Sequence, residues 1–446
     1  MSDVQTYFTE LVGWATSQLE GEEVLLASFT GESSDFVRLN GVKVRQAGTV
    51  TQRSVTLKLI LGDHQASGTL RLSQQPEIDR PQVASMVRTL REQVAVVPAD
   101  PFLLYCTNPE MSSHRAVEAE LPDAADVMDQ LVSVSATEGH DLVGIYAAGT
   151  TYRGFANSLG QHNWHEATTF NLDWSQYLQA DKAVKSGYAG THWDEAELTR
   201  KLNQSRQQLA VLARKPVDLE PDHYRSFLSP AALIDILDMM AMGGFSLKAT
   251  RTSQSPLLRM VNEGAKLDPA VSIRETTVDG LAPNFQSDGF RRPDEVTMIE
   301  SGAYGTPLVS PRSAKEYGEE TNGAEAHESP ESLVVDPGNL PADEVLSQLD
   351  RGLYVGNLWY LNFSDQSACR TTGMTRFATF WVEGGEIVAP ANVMRFDDTA
   401  FSMLGSNLLG LTTTTETVLD ASTYGGRQTN SYRVPGVLVE DMAFTL

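Results

Sequence analysis

Residues 352–390 read GLYVGNLWYLNFSDQSACRTTGMTRFATFWVEGGEIVAP, and this stretch decides the fold of the C-terminal part of the chain. A polar segment that ends at Arg376 leads into an aromatic run over residues 377–382, which is typical of a β-strand. The pair Gly384-Gly385 predicts a tight turn, because glycine reaches left-handed backbone conformations at no steric cost. A second strand follows through Ile387. The sequence therefore predicts a β-rich C-terminal region.

Length and composition limit the possible classes of protein. A chain of 446 residues predicts roughly three domains at about 150 residues each. Hydrophobic residues make up 41% of the chain, so each domain can bury a core. Acidic residues outnumber basic ones 58 to 34, which argues against nucleic acid as a partner, because phosphate binding depends on Lys and Arg. We therefore expect no nucleic-acid partner.

Three segments differ in pattern, and together they predict a multi-domain α+β protein. Residues 1–95 predict an N-terminal α/β domain that begins with a helix, whose apolar stripe includes Phe8, and has a hairpin signal at Asn40-Gly41. Residues 110–216 predict a mixed central domain with a helix over residues 123–138 and a long amphipathic helix that Pro216 stops. Residues 218–446 predict the β-rich C-terminal domain. Its first helix is expected to begin at Ser229-Pro230, a cap hydroxyl followed by proline.

Two further patterns concern exposure and location. The acidic stretch over residues 316–345 lacks Lys and Arg and contains several prolines, so we expect an exposed loop there. The N-terminal residues Met1–Val4 begin no basic and apolar leader, and no long apolar run predicts a membrane span. The two cysteines do not make a disulfide framework. These features predict a cytoplasmic protein without a membrane contact.

Several stretches, taken in order, resemble one known family. They are residues 34–48 (SDFVRLNGVKVRQAG), the turn Asn157-Ser158-Leu159-Gly160, the turn Asp336-Pro337-Gly338, residues 352–390, and the ending over residues 434–442. This order is similar to that of the TldD/PmbA family, which comprises metallopeptidases and non-catalytic paralogues and is also labelled as modulators of DNA gyrase. The resemblance implies a metallopeptidase-like C-terminal domain.

The resemblance also implies a zinc motif that this chain lacks. In the catalytic branch a helix carries His-Glu-x-x-x-His, and a cysteine near the C-terminus completes the site. At the matching positions stand Asp238, Met239 and Gly243, and residues 411–426 contain no cysteine. Thioether and glycine cannot serve as general base and imidazole ligand. The chain therefore resembles the non-catalytic PmbA (TldE) branch, and we expect no metal and no other cofactor.

For the other candidate groups, a structural role explains the sequence better than a catalytic or metal-binding role. His165-Glu166 begins like a zinc motif but lies in an alternating run, where neighbours point to opposite faces. His162, His165 and His192 are interpreted as polar residues on a strand-rich surface, and Cys369 beside Arg370 as a half-buried thiol. Asp235 and Asp238 share a helix face but offer too few ligands for a cation.

The preferred hypothesis is a subunit that pairs with a TldD-type zinc peptidase as a heterodimer and lines a chamber for extended or unfolded peptides. Arg370, Thr372, Gly373 and Arg376 are candidate contacts to the peptide or to the partner. Arg370 and Arg376 could equally pair with the acidic stretch. Two alternatives stay open: an independent hydrolase with a non-standard site, and a homodimeric peptide-binding module. Whether the chain is an enzyme is left uncertain by the sequence.

Overall fold

The computed structural model describes residues 2–41, 43–135, 141–179 and 182–445. The helices in these ranges are α1 (Asp3–Thr16), α2 (Pro76–Val94), α3 (Ala124–Ser135), α4 (Glu195–Leu212), α5 (Pro230–Ala241), α6 (Leu247–Arg251), α7 (Leu258–Glu263), α8 (Pro311–Tyr317) and α9 (Val345–Leu349). None of the described helices is long and apolar enough to cross a membrane. The predicted helix over residues 123–138 is described as far as Ser135, and the rest of it lies outside the described residues.

The strands of the N-terminal half are β1 (Val24–Asn40), β2 (Lys43–Leu61), β3 (His64–Arg71), β4 (Ser113–Val117), β5 (Asp141–Asn157), β6 (His162–Gln179) and β7 (Lys182–Gly190). They form one sheet in the order β3-β2-β1-β5-β6-β4, and β7 also pairs with β6. The predicted N-terminal and central domains thus share this sheet. The domain boundaries drawn at residues 95–110 and 216–218 stay a prediction.

Two helix pairs cover the first sheet because their apolar stripes match the buried residues of its strands. Helices α1 and α2 bury Phe8 and Val87 against Phe29 and Trp164. Helices α3 and α4 build a second core around Trp174 at the other end of β1. The predicted stripe of α1, with Phe8 at its centre, is buried as expected.

The strands of the C-terminal half are β8 (His223–Leu228), β9 (Ile273–Thr276), β10 (Glu295–Glu300), β11 (Ala303–Tyr304), β12 (Ser332–Val335), β13 (Gly352–Val355), β14 (Trp359–Asp365), β15 (Arg370–Met374), β16 (Thr379–Glu383), β17 (Glu386–Pro390), β18 (Arg395–Thr399), β19 (Leu408–Leu419) and β20 (Ser431–Ala443). The second sheet runs β11-β10-β9-β12-β20-β8-β13-β16-β17, and β19 pairs with β20. A third sheet is β14-β15-β18. The fold class is α+β, as the sequence predicts.

The hairpin read from residues 352–390 is confirmed. Strand β16 leads through Gly384 and Gly385, which have φ angles of 62° and 77°, into β17. Both glycines lie in the left-handed region that an aromatic or branched residue would avoid.

The prediction of an exposed loop over residues 316–345 is wrong in its second half. Strand β12 is buried along its length and pairs with β9 and β20. The side chain of Glu328, which precedes this strand, is also buried. Acidic composition predicted solvent exposure, but hydrogen bonds to this carboxylate satisfy it inside the protein.

Candidate functional site

Helix α5 begins where the sequence places it and is fixed by a double contact at its cap. Ser229 Oγ accepts a hydrogen bond from the N–H of Ala232 at 3.3 Å and donates one to the carbonyl of Gly356 at 2.6 Å. Pro230 occupies the first helical position, which needs no N–H donor. The cap thereby ties the start of α5 to the segment between β13 and β14.

A cavity of about 960 Å³ lies at this end of α5. Its walls come from both halves of the chain: β6, β7 and α4 on one side, and α5, α9, β19 and the segment that joins β13 to β14 on the other. A cavity of this size falls in the range that binds small molecules or a few residues of a peptide. It is the candidate functional site.

Two sheet edges face this cavity. Strand β7 has β6 as its ladder partner, and β19 has β20, among the strands that the structure describes. Residues 185–189 of β7 and 414–419 of β19 line the cavity. The other edge of β19 is bonded to residues 338–340 at residues 411–413 and to the Asn171 side chain at Leu419, and between these points none of the described strands pairs with it. The cavity can therefore bind an extended main chain without any catalytic side chain.

Charged side chains line the walls, and two pairs neutralise each other. Arg200 lies 2.7 Å from Glu197, and Lys201 pairs with Glu416 of β19. Three further charged groups on the lining are Lys185, Asp173 and Asp235. The cavity thus presents groups of both signs to a bound molecule.

Asp235 is the carboxyl whose surroundings change its acidity most clearly at this site. Burial raises the pKa of Asp235 to about 7, against the opposing effect of a hydrogen bond from the N–H of Leu358 at 3.2 Å. Lys185 also favours the charged form of Asp235. Burial likewise raises the pKa of Asp173.

We expect Asp235→Asn to raise the stability of the protein at about pH 8 by about 1–2 kcal/mol and to leave it unchanged below about pH 4. The folded-state pKa of Asp235 lies above its unfolded value, so wild-type stability falls as pH rises between these values. Asparagine keeps the acceptor for Leu358 and removes the buried charge. Thermal unfolding at the two pH values measures the effect; an equal shift at both would contradict it.

An aromatic side chain and a cation stand at the mouth of the cavity. Trp359 lines the cavity, and the guanidinium of Arg376 lies 4.5 Å from the centroid of its ring. Of the four residues proposed as peptide or partner contacts, the structure thus brings Arg376 to the cavity. This contact is a cation–π pair.

The other three proposed contacts lie on β15, away from the cavity lining. Arg370 forms an ion pair with Asp397 at 3.2 Å, not with the acidic stretch. Thr372 is buried and donates from Oγ1 to the carbonyl of Phe396 at 2.8 Å. Gly373 is closely covered, since a Cβ there would stand 2.7 Å from the Phe396 ring. Their role as contacts stays a prediction.

The three positions of the missing motif follow each other along α5 and past its end. Asp238 accepts a hydrogen bond from the hydroxyl of Tyr432 at 2.6 Å. The Met239 side chain is buried, and Gly243 follows the helix with a φ of 90°. A catalytic zinc site needs three nitrogen, sulfur or carboxylate ligands that converge. These residues do not fit such a site, and no group of three or more candidate ligands occurs in the described part of the chain.

The alternative catalytic candidates are placed where they cannot react readily. Burial raises the pKa of the Cys369 thiol to about 12, so the reactive thiolate is disfavoured. His165 is fully buried in β6 with its Nε2 2.9 Å from the carbonyl of Leu281, and burial lowers its pKa to about 4. His192 is exposed and lies 3.4 Å from Glu120.

Most of the cavity is not indicated by the sequence. Lys185, Asp173 and Trp359 were not singled out, although Asp235 was considered as a cation ligand. One signal was available: α4 carries several glutamines beside its leucine stripe, and Gln204, Gln207 and Gln208 all line the cavity. An amide-rich helix face predicts a polar wall, but only the tertiary structure shows what it faces.

Comparisons with known proteins agree with this architecture. A family profile described as the PmbA/TldA metallopeptidase C-terminal domain matches residues 221–446, just over half of the chain. The chain belongs to the PmbA/TldD family. The resemblance found in residues 352–390 is thereby confirmed. A search of curated proteins by sequence found no match.

Solved structures of similar proteins extend the likeness over the whole chain. TldE from Thermococcus kodakarensis has a TM-score of 0.77 at 15% identity, covering 99% of this chain and 100% of that one. A candidate modulator of a DNA gyrase from Thermotoga maritima has a TM-score of 0.75 at 16% identity, with 99% and 100% covered. Another from Bacteroides thetaiotaomicron has 0.75 at 13%, with 100% and 99% covered. At these identities the likeness shows the shared PmbA/TldD fold alone.

Proposed function

We propose that this chain is a TldE-like, non-catalytic subunit of a TldD-type metallopeptidase complex in the cytoplasm, where it takes part in proteolysis or peptide processing. The partner is a TldD-type zinc peptidase, and the bound molecule is an extended or unfolded peptide. Neither nucleic acid nor a membrane is a partner in this proposal. The chemistry of peptide hydrolysis belongs to the partner.

The observation that carries the proposal is the cavity itself. The edge of β7 and the edge of β19 over residues 414–418 suit a peptide main chain, while α5 offers no donor set for zinc. Both features together fit a protein that holds peptide and does not cut it. An independent hydrolase is less well supported, because Cys369 and His165 are buried.

Co-expression with a TldD-type peptidase tests the complex. We expect the two chains to elute together as a stable heterodimer in size-exclusion chromatography with light scattering, and the complex to cleave unfolded peptides. Two chains that elute separately under all salt conditions would contradict the proposal. A homodimer of this chain alone, with no affinity for the peptidase, would favour the peptide-binding module instead.

A tryptophan placed in the cavity separates assembly from peptide binding. Thr415→Trp fills space beside the edge of β19, so we expect the complex to form normally but to cleave peptides roughly tenfold more slowly, since a blocked site costs binding energy. Thr89→Trp, on the exposed face of α2, is the matched control and should change neither property. Equal cleavage rates for the two variants would show that the cavity does not hold the peptide.

A further inference from the structure

An exposed aromatic and sulfur-containing patch continues the cavity onto the third sheet. Trp359, Tyr360 and Met374 have exposed fractions of 39%, 74% and 38%. The rings of Trp359 and Tyr360 have centroids 5.8 Å apart, and Met374 lies opposite Trp359 in the ladder between β14 and β15. We call these three residues, with Arg376, the mouth platform. Since Trp359 also lines the cavity, the mouth platform and the cavity form one continuous surface.

The backbone conformation of Tyr360 brings the two aromatic rings together and is strained. Its φ is 57°, a left-handed conformation that is rare and strained for a bulky side chain. The ladder between β14 and β15 shifts register between Trp359 and Asn362. In a regular strand, successive side chains point to opposite faces; this irregularity brings two successive aromatic rings together. Backbone strain at an exposed aromatic residue is typical of a ligand-binding site.

Arg376 adds a positive charge that the protein itself does not neutralise by an ion pair. The chain has 58 acidic residues, yet in the ranges that the structure describes no carboxylate forms an ion pair with this exposed guanidinium. The central carbon of the guanidinium lies over the ring of Trp359, and this contact limits where the guanidinium can move. A guanidinium held in this way can donate two parallel hydrogen bonds to a carboxylate.

We propose that the mouth platform binds a carboxylate on the peptide that occupies the cavity, with an apolar side chain of that peptide packed on Tyr360 and Met374. This inference rests on the proposed function for the presence of a peptide. The carboxylate belongs to a Glu or Asp side chain or to the C-terminus of the peptide. The neighbouring apolar side chain is aromatic or aliphatic, because rings and thioethers both pack well against such groups.

Three labelled extended peptides of one sequence, each containing a central Phe, test the platform by fluorescence anisotropy with the full chain. The first has Glu after Phe and an amidated C-terminus, the second has Gln there and is amidated, and the third has Gln and a free C-terminal carboxylate directly after it. We expect the first or third to bind roughly tenfold more tightly than the second, as one good charged contact provides. Which of them does so identifies the source of the carboxylate.

Two variants and one control variant test which residues of the mouth platform bind the peptide. Arg376→Gln should reduce the affinity for the carboxylate peptide to that for the Gln amide, which itself should not change. Arg351→Gln is the control, since this exposed arginine also lies over a tryptophan ring, that of Trp381, but neither residue lines the cavity. Tyr360→Gly removes the ring and relieves the left-handed strain, so it should weaken all three peptides without lowering the melting temperature.

The outcomes separate this inference from the proposed function. Equal affinity of the three peptides for the wild-type chain, no binding of any of them at millimolar concentration, or an unchanged preference in Arg376→Gln would each overturn the mouth platform. Formation of the complex with a TldD-type peptidase would be unaffected by those results. Conversely, a clear carboxylate preference in a chain that binds no peptidase would leave the platform standing and overturn the subunit role.

Discussion

Glu328→Ala is expected to lower the free energy of unfolding by about 3–5 kcal/mol, because it leaves several buried donors without an acceptor. The Glu328 side chain is 1% exposed and accepts hydrogen bonds from Ser246 Oγ at 2.6 Å and from the N–H of Lys248 at 2.9 Å, both at the start of α6. It also accepts from the N–H and Oγ of Ser310, the cap of α8, each at 2.8 Å. One carboxylate thus joins the N-terminal ends of two helices, where a negative charge is favourable.

A matched control and a pH series test this account of Glu328. Glu320→Ala removes an exposed carboxylate nearby and should change the unfolding free energy by less than about 0.5 kcal/mol. Burial favours the neutral form of Glu328, but the hydrogen bonds outweigh it and hold its pKa below the usual value. Its stabilising effect is therefore present above the unfolded pKa and lost as pH falls through the folded one. Urea unfolding should show Glu328→Gln and wild type converging in acid; equal losses for the Glu328 and Glu320 alanine variants would contradict the prediction.

Arg427→Met is expected to cost a similar amount, about 3–5 kcal/mol, because it removes a buried guanidinium and leaves the carbonyls that accept from it without their donor. Arg427 lies in the loop between β19 and β20 and is buried against the first sheet. Its guanidinium donates to the carbonyls of Gly149 at 2.9 Å and Thr169 at 3.0 Å. Its main-chain N–H donates to the buried Glu32 at 3.2 Å. The loop thereby anchors the C-terminal half of the chain to the N-terminal sheet.

A double variant shows whether the charge or the packing matters at this anchor. If the buried charge of Glu32 dominates the loss, Glu32→Gln combined with Arg427→Met should recover roughly half of it, since removing both charges is often nearly neutral. Arg433→Ala breaks an exposed ion pair with Asp279 and should cost less than about 1 kcal/mol. The melting temperatures of wild type, Arg427→Met, the double variant and Arg433→Ala measure these differences, together with that of Glu32→Gln alone. A double variant as unstable as the sum of its single changes would show that Glu32 and Arg427 act independently.

Local chemistry explains which parts of the fold the sequence predicts. Ser229-Pro230 is a start signal for α5 that depends on its own hydroxyl and ring, and it operates as expected. The turn at Gly384-Gly385 depends on backbone freedom at two adjacent residues, so it too is visible from the sequence. Helix α4 ends at Leu212, close to the end predicted from Pro216.

Features that depend on distant partners are not visible in this way. Composition predicts that the acidic stretch before β12 is exposed to solvent. The donors that make Glu328 a core residue include Ser310 and Ser246, 18 and 82 residues earlier in the chain, so its local sequence does not reveal them. Arg427 is one basic residue in a polar loop, and nothing near it in sequence indicates burial. The cavity is still harder to predict from the sequence, because it forms where two sheet edges from the two halves of the chain meet. Periodicity identifies strands but not which of their edges stay free.

The position of β20 in the second sheet has a consequence for synthesis in the cell. This strand, the last in the chain, pairs with β8, β12 and β19, so it joins the two halves of the sheet. A ribosome makes the chain from its N-terminus, so β8 and β12 are synthesised long before β20. Until β20 is made, the edges of β8 and β12 that pair with it have no partner strand. The C-terminal half can therefore complete its sheet only after β20 has been synthesised, and nascent chains should depend on chaperones that cover such edges.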